Sequence, residues 1–253
     1  MSIQILWTLA LLALACEYVD STLGMGYGTT LTPVLLLIGY EPAQIVPSVL
    51  LSEFLTGVLA GVLHHEVGNV NFKPGSRPFK VAMVLAACSV VGTVAAVAIA
   101  VKIPTWAIKT YIGLLVLAMG VSILLTIGRT FAFSWKKVVG LGLLAAFNKG
   151  ISGGGYGPLV CGGQVLSGVD EKEAIGITSL AEGLVCIVGV LTYVLTGNGG
   201  VDWGIAPSLV LGAVLSVPFA ALTVKKTPVR KMRWAIGSAV TALGLFTLGK
   251  LVF

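Results

Sequence analysis

The chain carries nearly the same motif twice, 129 positions apart, each time inside apolar sequence. Gly24-Met25-Gly26-Tyr27-Gly28 precedes Glu53, and Gly153-Gly154-Gly155-Tyr156-Gly157 precedes Glu182. Gly24, Gly26, Tyr27, Gly28, Glu53, Gly68 and Asn69 recur as Gly153, Gly155, Tyr156, Gly157, Glu182, Gly197 and Asn198. Glycine frees the backbone and weakens helix, so each apolar stretch is expected to break at its cluster. An internal repeat with breaks inside hydrophobic segments is the pattern of a transporter.

Apolar residues make up 57% of the chain and charged residues 10%. Soluble domains carry about 25% charge, so this chain cannot coat a water-exposed surface. It reads as a polytopic membrane protein whose partner is the lipid bilayer. The net charge of +6 lies in short loops between apolar blocks, where it sets topology rather than binding nucleic acid. Cys16, Cys88, Cys161 and Cys186 lie within apolar blocks and form no CxxC pair, so neither a disulfide framework nor a metal site is expected, and no cofactor. Leu12 to Cys16 faintly resembles a lipoprotein cleavage site, but no basic region precedes it, and a retained first helix is expected.

Eight apolar blocks emerge, at 3–39, 42–64, 78–101, 104–127, 134–167, 172–195, 202–224 and 229–252. Each can supply the roughly 20 helical residues that cross a bilayer. Blocks one and five are too long for one ordinary helix. The expected pieces are 5–22 with 29–39, and 135–151 with 158–167. If every block crosses once, lysines and arginines divide seven against eight. If block five returns as a hairpin, twelve share one side, Lys102, Lys109 and Lys250 lie opposite, and Lys149 stays inside the membrane. Twelve against three fits the positive-inside rule.

Repeat symmetry extends the hairpin to block one. Each half is then a re-entrant hairpin plus three spans, an odd number of crossings that turns the second half upside down. The expected fold is an all-α inverted repeat, with halves 1–128 and 129–253 and both termini outside. The match continues at an offset of 124, where Pro104, Lys109, Ile112, Gly113, Ala118 and Gly120 meet Pro228, Arg233, Ile236, Gly237, Ala242 and Gly244.

With its two glycine breaks and the turns Gly68-Asn69-Val70-Asn71-Phe72, Gly197-Asn198 and Val201-Asp202-Trp203, the chain resembles the TauE/SafE sulfite exporter family, also called the toluene-sulfonate uptake permease family. The resemblance spans both halves. It implies a multi-pass protein of a bacterial-type inner membrane that moves sulfite, sulfonates or related organic anions. Pro33 after the first break is family-like. The second half differs, with Pro158 directly after Gly157 and Gly162 at the matching place.

A break exposes backbone N–H groups, and the following helix begins with a positive dipole end. Two such starts near the midplane would hold an anion. The expected substrate-binding residues are Gly26, Tyr27, Gly28, Thr29, Thr30, Lys149, Gly155, Tyr156 and Gly157, with Thr32 and Gln164 as further donors. Close helix packing through small residues is the competing reading of the glycines. Lys149 and Asp20 occupy equivalent repeat positions. Lys149 is either the anion's electrostatic anchor or half of an ion pair with Asp20 or Glu17. Glu53 and Glu182 suit proton coupling or cavity lining, as does Asp20; alternatively a neutral Glu braces a half-helix end.

Gly150-Ile151-Ser152-Gly153 matches a rhomboid-type GxSG, and 150–154 fits G-x-S-x-G. Both need a histidine base. The two histidines, His64 and His65, are adjacent in what reads as a solvated charged loop, so no enzyme is expected. The GYG triplets lack the longer TVGYG string of potassium filters. No P-loop appears, so pumping needs a gradient or a partner. The expected function is a secondary transporter of a small sulfur-containing anion by alternating access. The alternatives are an anion channel of the same architecture and an intramembrane serine protease. Oligomeric state is left open, a homo-oligomer included.

Overall fold

The computed structural model describes residues 3–40, 42–100, 105–127, 129, 132–152, 156–196 and 200–252. These residues form ten helices. The first half comprises α1 (Ile3–Leu23), α2 (Tyr27–Ile38), α3 (Pro42–Glu66), α4 (Arg77–Ala100) and α5 (Thr105–Leu125). The second comprises α6 (Trp135–Ser152), α7 (Tyr156–Leu166), α8 (Glu171–Thr196), α9 (Ala206–Lys226) and α10 (Val229–Val252). Both long blocks are split. Gly24 (φ 73°) and Gly26 (φ 128°) hold left-handed backbone between α1 and α2, conformations that side chains with a Cβ rarely adopt. The matching break, including Gly153, Gly154 and Gly155, lies outside the described residues.

By length and composition, α1, residues 44–66 of α3, residues 171–195 of α8, and α9 suffice to cross a membrane. Helix α2, with 12 residues, and α7, with 11, do not. Each short helix folds back beside its predecessor. Ser134 N–H, just before α6, donates to the Ser167 carbonyl just after α7 at 3.1 Å. The block therefore begins and ends at one level. In the first half Leu9 and Ala13 of α1 share a core cluster with Leu31 and Leu35 of α2 and with Ile45 and Val49 of α3. The chain leaving α2 has thus returned toward the end where α1 began.

Packing between the halves pairs α5 with α10, α3 with α8, α1 with α9, and α4 with α6. Exchanging the halves, helix for equivalent helix, leaves this set unchanged. The α5–α10 contact is antiparallel and self-matched. Gly113 meets Leu248 and Gly237 meets Leu124, while Gly120 meets Thr241 and Gly244 meets Leu117. Contacts between α3 and α8 also run antiparallel: Gly57 meets Gly183, Gly61 meets Leu180, and Gly176 meets His64.

The basic loops gather at one end. Arg77 reaches Glu173 at 3.5 Å, Lys172 Nζ donates to the Lys225 carbonyl at 2.8 Å, and Arg233 bonds Glu171 and the Arg129 carbonyl. At the other end Gln44 Nε2 donates to Asp202 Oδ2 at 3.0 Å, and Asp202 N–H to Ser48 Oγ at 2.9 Å. Large apolar side chains on α1 and α9, among them Trp7, Leu11, Leu211, Leu215 and Phe219, are exposed.

Candidate functional site

The two breaks touch. A methyl group added to Gly157 would sit 2.7 Å from the Gly24 carbonyl oxygen and 2.8 Å from Met25 Cα. Backbone of the two halves therefore meets where α2 and α7 begin. Tyr27 and Tyr156, first residues of those helices, are both fully buried. The Tyr27 hydroxyl pairs with Ser52 Oγ on α3 at 2.8 Å, and that of Tyr156 with Ser89 Oγ on α4 at 3.2 Å.

Beside this junction lies Lys149, the only buried lysine or arginine among the described residues. Its Nζ donates to Glu182 Oε1 at 2.7 Å and to Glu53 Oε2 at 3.3 Å, and stands 5.5 Å from the Tyr156 ring centre. The expected pairing with Asp20 or Glu17 is not the one found. Asp20 caps the next helix instead: Tyr27 N–H donates to Asp20 Oδ1 at 3.1 Å. Glu53 and Glu182 face each other because α3 and α8 cross at Gly57 and Gly183, close enough to bring both glutamates to one ammonium. A sequence offset gives equivalence in the repeat, not which equivalent pairs approach the axis.

Glu53 does more than pair with lysine. Gly28 N–H donates to Glu53 Oε1 at 3.1 Å, and the Cys186 thiol to Glu53 Oε2 at 3.3 Å. Two backbone donors at the start of α2 are thus held by the protein's own carboxylates, Asp20 and Glu53. This satisfies orphan N–H groups and places negative charge at the positive dipole end. Among the described residues Glu182 Oε2, in a residue only 8% exposed, has no hydrogen-bond partner.

Glu17, Asp20, Glu53, Thr56, Gly57, Ser179 and Glu182 line a small cavity of about 10 Å³. Chemically, the site combines one ammonium, several carboxylates and a helix N-terminus, so it can exchange protons and hold charge in either sign. Of the expected donors, Thr30 is exposed, and its N–H bonds the Gly26 carbonyl at 2.9 Å. Gln164 Nε2 is engaged by Thr178 Oγ1 at 2.9 Å. Gly155 and the side chains of Thr29 and Ser152 lie outside the described residues.

His64 corrects the solvated-loop reading. It is fully buried in the last turn of α3. Asn69 Nδ2 donates to His64 Nδ1 at 3.0 Å and to the Ala221 carbonyl at 2.8 Å. Nδ1 therefore accepts, and Nε2–H donates to the Ser21 carbonyl at 3.1 Å. That is the neutral ring, tying α1 to α3 and α9. Glu17 escaped notice as a site residue, although Glu17, Asp20 and Ser21 share one face at i, i+3 and i+4 spacing. Cys186, read as packing, is a thiol donor to a central carboxylate.

The sequence model of the family described as sulfite exporter TauE/SafE matches residues 9–247. The chain is also 27% identical over 263 residues to the probable membrane transporter protein YtnM of Bacillus subtilis strain 168, covering 94% of this chain and 81% of that protein. No solved structure matches it.

Proposed function

The chain belongs to the sulfite exporter TauE/SafE family, and from that premise we propose that it is a secondary transporter of a small sulfur-containing anion, sulfite or an organosulfonate. The observation that carries the reading is the junction of the two breaks beside a buried ammonium. An anion there would meet Lys149 and the start of α2, the two positive features of the site. In the conformation described, both are occupied by carboxylates. Glu53 and Glu182 hold Lys149, while Asp20 and Glu53 hold the α2 donors.

Substrate anion and carboxylate therefore compete for the same partners. Protonating Glu53 or Glu182 cancels the charge that binds the ammonium and releases it for substrate. Anion binding is then linked to proton binding, and a proton gradient can drive the cycle. Antiparallel α5–α10 and α3–α8 contacts support an inverted repeat, with alternating access by rocking of one half on the other. The exposed apolar faces of α1 and α9 suit the lipid of a bacterial cell membrane, and the gathered basic loops suit its cytoplasmic side.

Counterflow of labelled sulfite in proteoliposomes tests this reading. Saturable exchange competed by organosulfonates is expected. A non-saturating, voltage-driven current would replace the transporter with a channel, and absence of any sulfite exchange or stabilisation by anions would remove the substrate class.

A further inference from the structure

We infer that Glu17 is a proton-binding residue of this protein, neutral in the conformation described and separate from the Lys149 cluster. The inference rests on the transport reading only for what the proton is used for. Glu17 is 2% exposed and lies in the last third of α1. Among the described residues it has no ion pair; its partners are two hydroxyls. Ser21 Oγ lies 2.6 Å from Glu17 Oε1, and Thr56 Oγ1 lies 3.1 Å from Glu17 Oε2.

The hydrogen count favours an acid. Thr56 Oγ1 also lies 3.0 Å from the Ser52 carbonyl, which can only accept. A hydroxyl has one hydrogen. If Thr56 gives it to the Ser52 carbonyl, the contact with Glu17 Oε2 needs a hydrogen from Glu17. A carboxylic acid supplies it. Ser21 donates to Oε1, Oε2–H donates to Thr56, and Thr56 donates to Ser52, so every contact is satisfied. An ionised Glu17 leaves two acceptors competing for one hydrogen.

The surrounding charges agree. Facing Glu17 are Cys16 and Asp20 on its own helix, Tyr27 on α2, Glu53 on α3 and Glu182 on α8; the nearest basic groups are one residue further out, His64 on the Ser21 carbonyl and Lys149 on Glu53 and Glu182. His64 is neutral in its hydrogen-bond pattern, and the Lys149 ammonium is bonded by Glu53 and Glu182. The rest are carboxyls, a thiol and a phenol, so among the described residues no cation is left to balance a charge on Glu17. Burial without a counterion disfavours the ionised form.

A cavity connects this acid to the site. Glu17 and Glu182 line the same small space, and among the described residues the buried Glu182 Oε2 has no hydrogen-bond partner. A proton lost from Glu17 therefore has a nearby acceptor lacking a donor.

Glu17→Gln tests the assignment, because an amide copies the neutral acid's donor and acceptor. Infrared spectra of the purified protein should contain a protonated-carboxyl stretch at neutral pH that disappears in Glu17→Gln, while thermal stability stays at the wild-type value. In proteoliposomes, protons moved per sulfite should fall at least several-fold in the variant. If the variant moves no sulfite, the infrared comparison decides. An unchanged carboxyl band, or a loss of stability matching Glu17→Ala, overturns the neutral acid. An unchanged proton-to-sulfite ratio overturns its use in coupling. Failure of wild-type sulfite counterflow with a Glu17-dependent band removes the substrate reading and leaves the proton site.

Discussion

Lys149 Nζ lies 2.7 Å from Glu182 Oε1, and the same nitrogen reaches Glu53 at 3.3 Å, so one ammonium joins the two repeat-equivalent glutamates. Removing it leaves two buried carboxylates without a counterion. Lys149→Met is expected to destabilise the protein by about 3–5 kcal/mol and to abolish sulfite exchange. Lys149→Met with Glu182→Gln should recover much of the stability, read by thermal unfolding, but not the exchange. Recovery of both would make the cluster structural.

Gly157 leaves no room for a side chain, because its α-carbon faces backbone of the opposite half. Gly157→Leu is expected to keep membrane insertion yet lose exchange. Overpacking of this kind typically costs about 1–3 kcal/mol. Gly26→Leu should fail for a different reason: φ at 128° strains any residue with a Cβ. Wild-type flux in both variants would make the junction incidental.

Much of the helix layout was legible in the chain. Apolar length and glycine clusters placed the breaks, and helices end at Leu23 and resume at Tyr27 accordingly. Of the twelve cations assigned to one side by the charge count, Arg77, Arg129, Lys172 and Arg233 meet their partners at one end of the bundle. The wiring of the site was less legible. Lys149 bonds residues 96 and 33 positions away, chosen by how closely α3 and α8 cross. His64 looked solvated because its neighbours His65 and Glu66 are polar. Its burial comes from Ser21 and Asn69, contacts that local composition does not encode.

The gathered basic loops fix a prediction about sidedness. Lys73 and Lys226 are exposed at that end, and Trp203 at the other, 73% exposed. Cysteines replacing Lys73 and Lys226 should react with an impermeant maleimide only in inverted vesicles, and one replacing Trp203 only in intact cells. Labelling of Lys73→Cys from outside would invert the assigned orientation.

Arg233 and Glu171 form a partly buried pair that also ties down the Arg129 carbonyl. Arg233→Met strands a carboxylate that is almost wholly enclosed. A loss of about 3–5 kcal/mol is expected, with partial recovery in the double variant with Glu171→Gln. Thermal unfolding measures it, and an unchanged melting temperature would assign the pair no structural weight.

The α5–α10 contact has a consequence for ancestry. Gly113 against Leu248 repeats as Gly237 against Leu124, so each half contributes the same knob and the same notch. An interface of this kind is isologous. A half-length chain would already carry both faces of it, provided a second copy entered the bilayer upside down. Expressed separately, the two halves are thus expected to find each other through a surface that either could also use to pair with itself.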